Sequence, residues 1–288
     1  PVNIREVDTI HALSSRCQLG LLVLDPITVI SLGQRIQHPV DIWIKVDVGT
    51  HRTGLNPDDR QNFDAIFKSM EDFPMLRPAG FLAHAGQTYH CRTDNDIKKI
   101  YQSSLDMLSD LKKIYQDRFS KLKISLGDTP GASVTEDFGP VDELRPGNFV
   151  FYDLMQEQIG ACSLDDISVA MACPVVAIHP DRLQWILYGG AIHFSKDAIL
   201  LGDGQRCYGK MVEPAGTSWS VTYTEQLPYL TSLSQEHGIV QCTPETFDLC
   251  KTGDLSLWLP VHSCLTADAM GGYLSTDGQR LDHYRSMR

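Results

Sequence analysis

Residues 41–54 read DIWIKVDVGTHRTG, and their reading decides the fold. Residues 41–48 interleave aromatic and β-branched side chains with polar ones, as a strand does. From Asp47 onward an acid, two glycines (Gly49, Gly54) and Arg52 gather at the strand's carboxyl end. Working outward, the same unit recurs. GLLVL at 20–24 is a short apolar run before a helical stretch over about 26–36, and DIWIKVDV is followed by a helix near 59–71. AGFLAH at 79–84 precedes a long amphipathic helix over about 94–117; KLKISL at 121–126 and a run at about 145–151 complete five strands. Strands alternating with helices predict a parallel sheet built from βα units. Polar, glycine-rich segments follow the strands at 47–54, 84–90, 125–132 and 145–148. Four such clusters at successive strand ends favour an α/β barrel, whose βα loops share one mouth, over a doubly wound sheet with one switch point.

After about residue 160 the pattern changes. Short runs at 167–178, 183–187, 239–241 and 254–261 are separated by turn signals at His179-Pro180-Asp181 and Gly202-Asp203-Gly204. They predict a mostly antiparallel β-domain, and hence domains over 1–158 and 159–288. The 288 residues agree with two domains at roughly 150 residues each. Hydrophobic residues at 42% and charged residues at 21% exclude disorder, and no apolar run approaches the ~20 residues of a membrane span. Lys and Arg number 25 against 36 Asp and Glu, a net charge of −11. That sign argues against nucleic acid or an anionic membrane as partner and favours a small-molecule substrate. Eight cysteines without a C-x-x-C pair imply mostly inert thiols in a reduced cytoplasmic protein. The Leu19–Leu24 run is too short for a signal peptide.

Each motif has an ordinary reading beside its chemical one. Arg52 offers fork geometry to an oxygen anion, or forms a structural Arg–Asp pair holding a turn. His84, with Tyr89 and His90 just beyond it, can stack on a ring or simply be satisfied by backbone. Ser125 to Ser133 (SLGDTPGAS) suits a phosphate nest, as do many plain loops, and Arg145-Pro146-Gly147-Asn148 repeats the theme. If His262-Ser263-Cys264 is extended, His262 and Cys264 share a face, and imidazole plus thiolate suits zinc with positions left open. A random H-x-C is usually nothing. Lys45 invites a Schiff-base role, although a lysine in a strand's polar network is the plainer reading.

Six blocks in order then resemble the fold-type III pyridoxal-phosphate enzymes of the D-serine dehydratase and D-threonine aldolase family, whose barrel is shared with alanine racemase. They are IKVDVGTHRTG (44–54), GFLAHAGQTYH (80–90), SLGDTPGAS (125–133), ELRPGNFVFYD (143–153), LSQEHGIV (233–240) and GDLSLWLPVHSCLTAD (253–268). The resemblance implies pyridoxal 5'-phosphate (PLP) and Zn²⁺ as cofactors. It implies Arg52 near the cofactor's phenolic oxygen, His84 against its ring and Arg145 facing the ring nitrogen. Ser125, Thr129, Gly147, Asn148 and Tyr152 would hold the phosphate, and Tyr89 would line the substrate face. His262 and Cys264 would hold the metal, their H-x-C pattern pointing to the dehydratase branch where aldolases have H-x-D.

The implied reaction is dehydration of D-serine to pyruvate and ammonia. PLP acts as electron sink and zinc as Lewis acid on the β-hydroxyl. Retro-aldol cleavage of D-threonine and a non-catalytic PLP-binding protein are the alternatives. The third is motivated by one departure: the family's lysine motif, similar to R-P-H-x-K-T-H-K, is absent from these residues, and Lys45 does not align with it. The five strands correspond by resemblance to barrel strands four to eight. At roughly 30 residues per βα unit, about 90 residues would be missing, so a longer functional chain is expected, as is a homodimer.

Overall fold

The computed structural model describes residues 1–216, 218–220 and 228–283. Contacts divide the chain between Gly147 and Asn148 into two compact units.

In the first unit α1 (Val7–Ser14) precedes five parallel strands, β1 (Gly20–Val23), β2 (Val40–Val46), β3 (Leu76–Ala83), β4 (Lys123–Leu126) and β5 (Glu143–Leu144). Their order in the sheet is their order in the chain. Sequential parallel order is what a barrel's repeated right-handed crossover produces, whereas a doubly wound sheet reverses direction part-way. The barrel-like expectation is borne out.

The helices α2 (Pro26–Gly33), α3 (Arg60–Met70), α4 (Asp94–Tyr115) and α5 (Thr129–Val134) alternate with these strands. Each starts where a side-chain oxygen satisfies an orphan amide. Asp25, Asp59, Thr93 and Asp128 accept from the N–H three residues on. Buried residues of α3 fall at Phe63, Ile66, Phe67 and Met70, the i, i+3, i+4, i+7 stripe of a helix covering a sheet. Phe81 of β3 meets Phe63, Phe67 and Tyr115 with ring centroids 5.8, 6.2 and 6.1 Å apart. Gly80 beside it has a structural reason, since a Cβ there would lie 2.0 Å from the Lys123 carbonyl of β4.

The strand expected over about 145–151 is corrected: β5 is confined to Glu143–Leu144. Pro146 has no N–H with which to extend a ladder. Just beyond, the amides of Phe151 and Tyr152 both turn back onto the Asn148 carbonyl, at 3.0 and 2.8 Å.

The second unit opens with α6 (Leu154–Ile159), capped by Asp153. The expected runs become β6 (Met171–His179), β7 (Gln184–Tyr188), β13 (His237–Gln241) and β14 (Leu255–Pro260). Between them lie α7 (Ala191–Phe194), the small pair β8 (Ile199–Leu200) and β9 (Arg206–Cys207), then β10 (Gly209–Ala215), β11 (Ser218–Ser220) and β12 (Tyr229–Leu233). The antiparallel order β10-β12-β13-β7-β6-β14 is closed by pairing of β14 with β10, and β11 adds to β10 outside the ring. Closure removes the exposed edges an open sheet would leave. Trp185 and Trp258 fill its core, their indole N–H groups donating to Phe247 O at 3.0 Å and Ser256 Oγ at 2.8 Å. After β14 come α8 (Ser263–Met270) and the hairpin β15 (Gly272–Leu274) with β16 (Arg280–Asp282).

Candidate functional site

Parallel strands present their following loops at one edge of the sheet, the edge where βα barrels carry chemistry. In the first unit this edge gathers Lys45 and Arg52 from β2 and its loop, His84 and Tyr89 after β3, Ser125 to Thr129 from β4, and Arg145 after β5. Most of these groups have assigned partners. His84 Nδ1 lies 3.0 Å from Gly127 O, and its ring centroid is 6.3 Å from that of Tyr89. Burial, with Lys45, Arg52 and Arg145 nearby, lowers the His84 pKa and favours a neutral imidazole. Arg145 donates from Nε to Ser125 Oγ at 2.7 Å and from Nη2 to Ala83 O at 2.5 Å, while Ser125 Oγ donates to Glu143 Oε1 at 2.5 Å. The Ser125 hydroxyl is thus spent on its neighbours. Gly127 lets β4 and the Arg145 backbone meet, since a Cβ there would lie 2.4 Å from Arg145 N. Thr129 is buried in the first turn of α5, and Gly147 has open space where a Cβ would be.

Asp47 does not hold Arg52. Its Oδ1 accepts from the amides of Gly49 and His51, both at 3.0 Å, and its Oδ2 lies 3.1 Å from His51 Nδ1. Burial alone would raise the Asp47 pKa, but these bonds from His51 and Gly49 hold it below the usual range. Arg52 is exposed and makes no side-chain bond among the described residues. Lys45 is only 6% exposed and has no hydrogen-bond partner among the described residues. Burial, then the guanidinium groups of Arg145 and Arg52, bring its ammonium down to about 8. Lys45 and Arg52 therefore stand at this edge without a bonded carboxylate, which fits an anionic group there.

The second unit holds Asn148, Tyr152, His262 and Cys264. His262 and Cys264 are not extended, which corrects the geometry expected of them. β14 stops at Pro260, His262 (φ −133°, ψ 90°) is the N-cap of α8, and Cys264 lies in that helix's first turn. His262 Nδ1 donates to Asp197 Oδ2 at 2.6 Å, leaving Nε2 free to ligate. A carboxylate behind a histidine is the usual support of a metal-bound imidazole. The Cys264 thiol reaches Asn148 Oδ1 at 3.6 Å, and burial together with Asp153 raises its pKa. Among the described residues no group of three or more His, Cys, Asp or Glu could hold a metal. The donor set is thus one imidazole and one thiol, both ligand types that zinc takes and one fewer than the three protein ligands usual at catalytic zinc.

Two supporting residues carry no mark of this role in the sequence. Asp197 lies in an ordinary polar loop. Asp153 reads only as a helix cap, through the D-x-x-Q spacing of Asp153 and Gln156.

Comparison with known proteins divides along the same chain. Residues 27–154 match the N-terminal domain family of alanine racemase, and residues 168–276 match the putative serine dehydratase domain. D-serine dehydratase of Dictyostelium discoideum is 28% identical over 257 residues, covering 85% of this chain and 63% of its own length. D-threo-3-hydroxyaspartate dehydratase of Delftia sp. is 26% identical over 277 residues, covering 91% of this chain and 70% of its own length. The solved structure of the Delftia enzyme superposes with a TM-score of 0.85 at 23% identity, over 99% of this chain and 77% of that one. The chain spans 56–63% of the length of the D-serine dehydratases it matches.

Proposed function

We propose that this chain, which belongs to the D-serine dehydratase and D-threonine aldolase family of alanine racemase-like barrels, serves a PLP- and zinc-dependent lyase of D-3-hydroxy amino acids. Dehydration of D-serine to pyruvate and ammonia is the reaction favoured. The observation that carries this reading is the pair His262 and Cys264 in one turn, with His262 held in a ligating tautomer by Asp197 at 2.6 Å. Two solved variants of D-threo-3-hydroxyaspartate dehydratase support it: one lacks a histidine, the other lacks a cysteine two positions on and is described as metal-free.

When bound, PLP supplies an electron sink for the charge left at Cα, and zinc supplies Lewis acidity at the departing β-hydroxyl. The residues of this chain supply the surroundings of that chemistry. His262 Nε2 and the Cys264 sulfur would hold the metal. Arg52, Arg145 and Lys45 supply the positive field that draws in an anionic cofactor and a carboxylate substrate. Arg145, fixed by Ser125, Glu143 and Ala83 O, keeps its charge in place rather than following the ligand. His84, neutral and anchored on Gly127 O, offers a flat face that adds no further charge. Gly147 leaves room beside the loop for a phosphate, which Thr129 at the start of α5 would help to hold, and Tyr89 would line the substrate side.

The test is a product assay with PLP and Zn²⁺ present. D-serine should give a 2-oxo acid and ammonia, L-serine neither, and Cys264→Ala should abolish turnover while leaving PLP bound. Glycine and acetaldehyde from D-threonine, with no 2-oxo acid from D-serine, would make the protein an aldolase. No product from a protein carrying both cofactors would leave the non-catalytic reading. The same family reading proposes a homodimer, and a monomeric mass by light scattering would count against it.

A further inference from the structure

Ser263, the residue between the two metal candidates, is wholly buried and tied twice to the segment preceding α6. Its amide donates to Asp153 Oδ2 at 3.0 Å and its hydroxyl to Tyr152 O at 2.5 Å. Asp153, itself 1% exposed, also accepts from Asn148 Nδ2 at 2.5 Å and from the Gln156 amide at 2.9 Å. Three donors from three places in the chain thus converge on one carboxylate. The Cys264 thiol adds a contact of its own to Asn148 Oδ1 at 3.6 Å. Tyr152 takes up φ +47°, a left-handed conformation a tyrosine rarely adopts, while its carbonyl receives the Ser263 hydroxyl.

We propose that Asp153 and Ser263 form a positioning bracket that makes the metal turn and the segment 148–156 a single element. A metal held by His262 and Cys264 then orders residues 148–156 as well as 262–270. The physical reason lies in the peptide unit between the two ligands. Rotation of the Ser263 peptide would swing the Cα–Cβ directions of both His262 and Cys264. Its N–H is held by Asp153 and its side chain by Tyr152 O, so the two ligating atoms are set together. Conversely, metal binding removes the freedom of the turn and, through the same bonds, that of Asn148 to Gln156. Because Asn148 and Tyr152 are the residues expected at the cofactor phosphate, the bracket would let metal occupancy tune the cofactor segment. The inference rests on the zinc reading above.

Hydrogen exchange by mass spectrometry on the whole chain, with and without Zn²⁺, tests it without using activity. In the wild type, zinc should slow exchange by about tenfold or more over both 262–270 and 148–156. In Ser263→Ala, protection should persist over 262–270 and fall several-fold over 148–156. In Asp153→Asn, protection over 148–156 should vanish. If Asp153→Asn does not fold, Ser263→Ala decides alone. Zinc protection confined to 262–270 in the wild type, or full protection of both segments in Ser263→Ala, would overturn the bracket and leave the zinc site standing. No zinc bound and no protection anywhere would remove the zinc reading and the bracket together.

Discussion

Lys45→Met gives the sharpest test of the cationic sheet edge. Lys45 is buried on β2 beside Arg145 and Arg52 without a bonded partner, and its ammonium is brought down from 10.5 to about 8. At 1.36 kcal/mol per pH unit this is worth about 3 kcal/mol, and solvent screening at the open sheet edge reduces it to about 2 kcal/mol. The sign follows from proton counting. Between pH 8 and 10.5 the unfolded chain holds a proton that the folded one has released, so raising the pH favours the folded state. Below about 8 both forms are charged and the penalty is fully present; above 10.5 both are neutral and it is gone. Methionine keeps most of the unbranched side chain and removes the charge. In phosphate-free buffer at pH 7, Lys45→Met should therefore be the more stable protein, by about 4–8 °C in melting temperature for a unit of this size. The gap should close as the pH rises towards 10. Added PLP should narrow it at pH 7, because the wild type gains an anion to neutralise. A mutant less stable than wild type at pH 7, or a gap unchanged between pH 7 and 10, would refute the buried-cation argument.

What was legible in the sequence follows from how local each signal is. The parallel sheet could be read because its strands are short runs rich in β-branched and apolar residues, most of them followed by polar and glycine-rich residues. The helices could be read because α3 and α4 repeat apolar residues at helical spacing, and the caps Asp25, Asp59 and Thr93 are what fixes their starts. The β-domain was legible as a class but not as a closed ring, since closure depends on β10 meeting β14, about 45 residues apart in the chain. The H-x-C pair was found for its chemistry and misplaced in geometry. SCLTADAM carries Leu, two Ala and Met and ends at Gly271, which adopts the left-handed C-cap, and that signal outweighs the apolar strand before it. Asp197 could not be read at all. It lies 65 residues before its histidine in an unremarkable loop, and only the fold brings them together.

The remaining predictions separate packing, backbone and metal support. Phe81→Ala should cost about 3–5 kcal/mol, measured by thermal denaturation, because its ring is wholly buried among Phe63, Phe67 and Tyr115; a loss below about 1 kcal/mol would mean that cluster does not hold the first unit. Gly80→Ala should destabilise although alanine is small, since its methyl would fall 2.0 Å from Lys123 O, and a neutral result would mean that β3 and β4 can part there at no cost. Asp197→Asn should lower zinc affinity roughly 10–100-fold, read by competition with a chromophoric chelator, while leaving the fold intact because the pair is part-exposed. The reason is tautomeric. An asparagine can still accept from Nδ1 through its oxygen, but its amide can equally donate to that nitrogen, which places the proton on Nε2 and removes the ligating lone pair. Asp197→Glu, which can only accept, should therefore recover part of the affinity; if it does not while Asp197→Asn binds zinc normally, the carboxylate does not set the His262 tautomer.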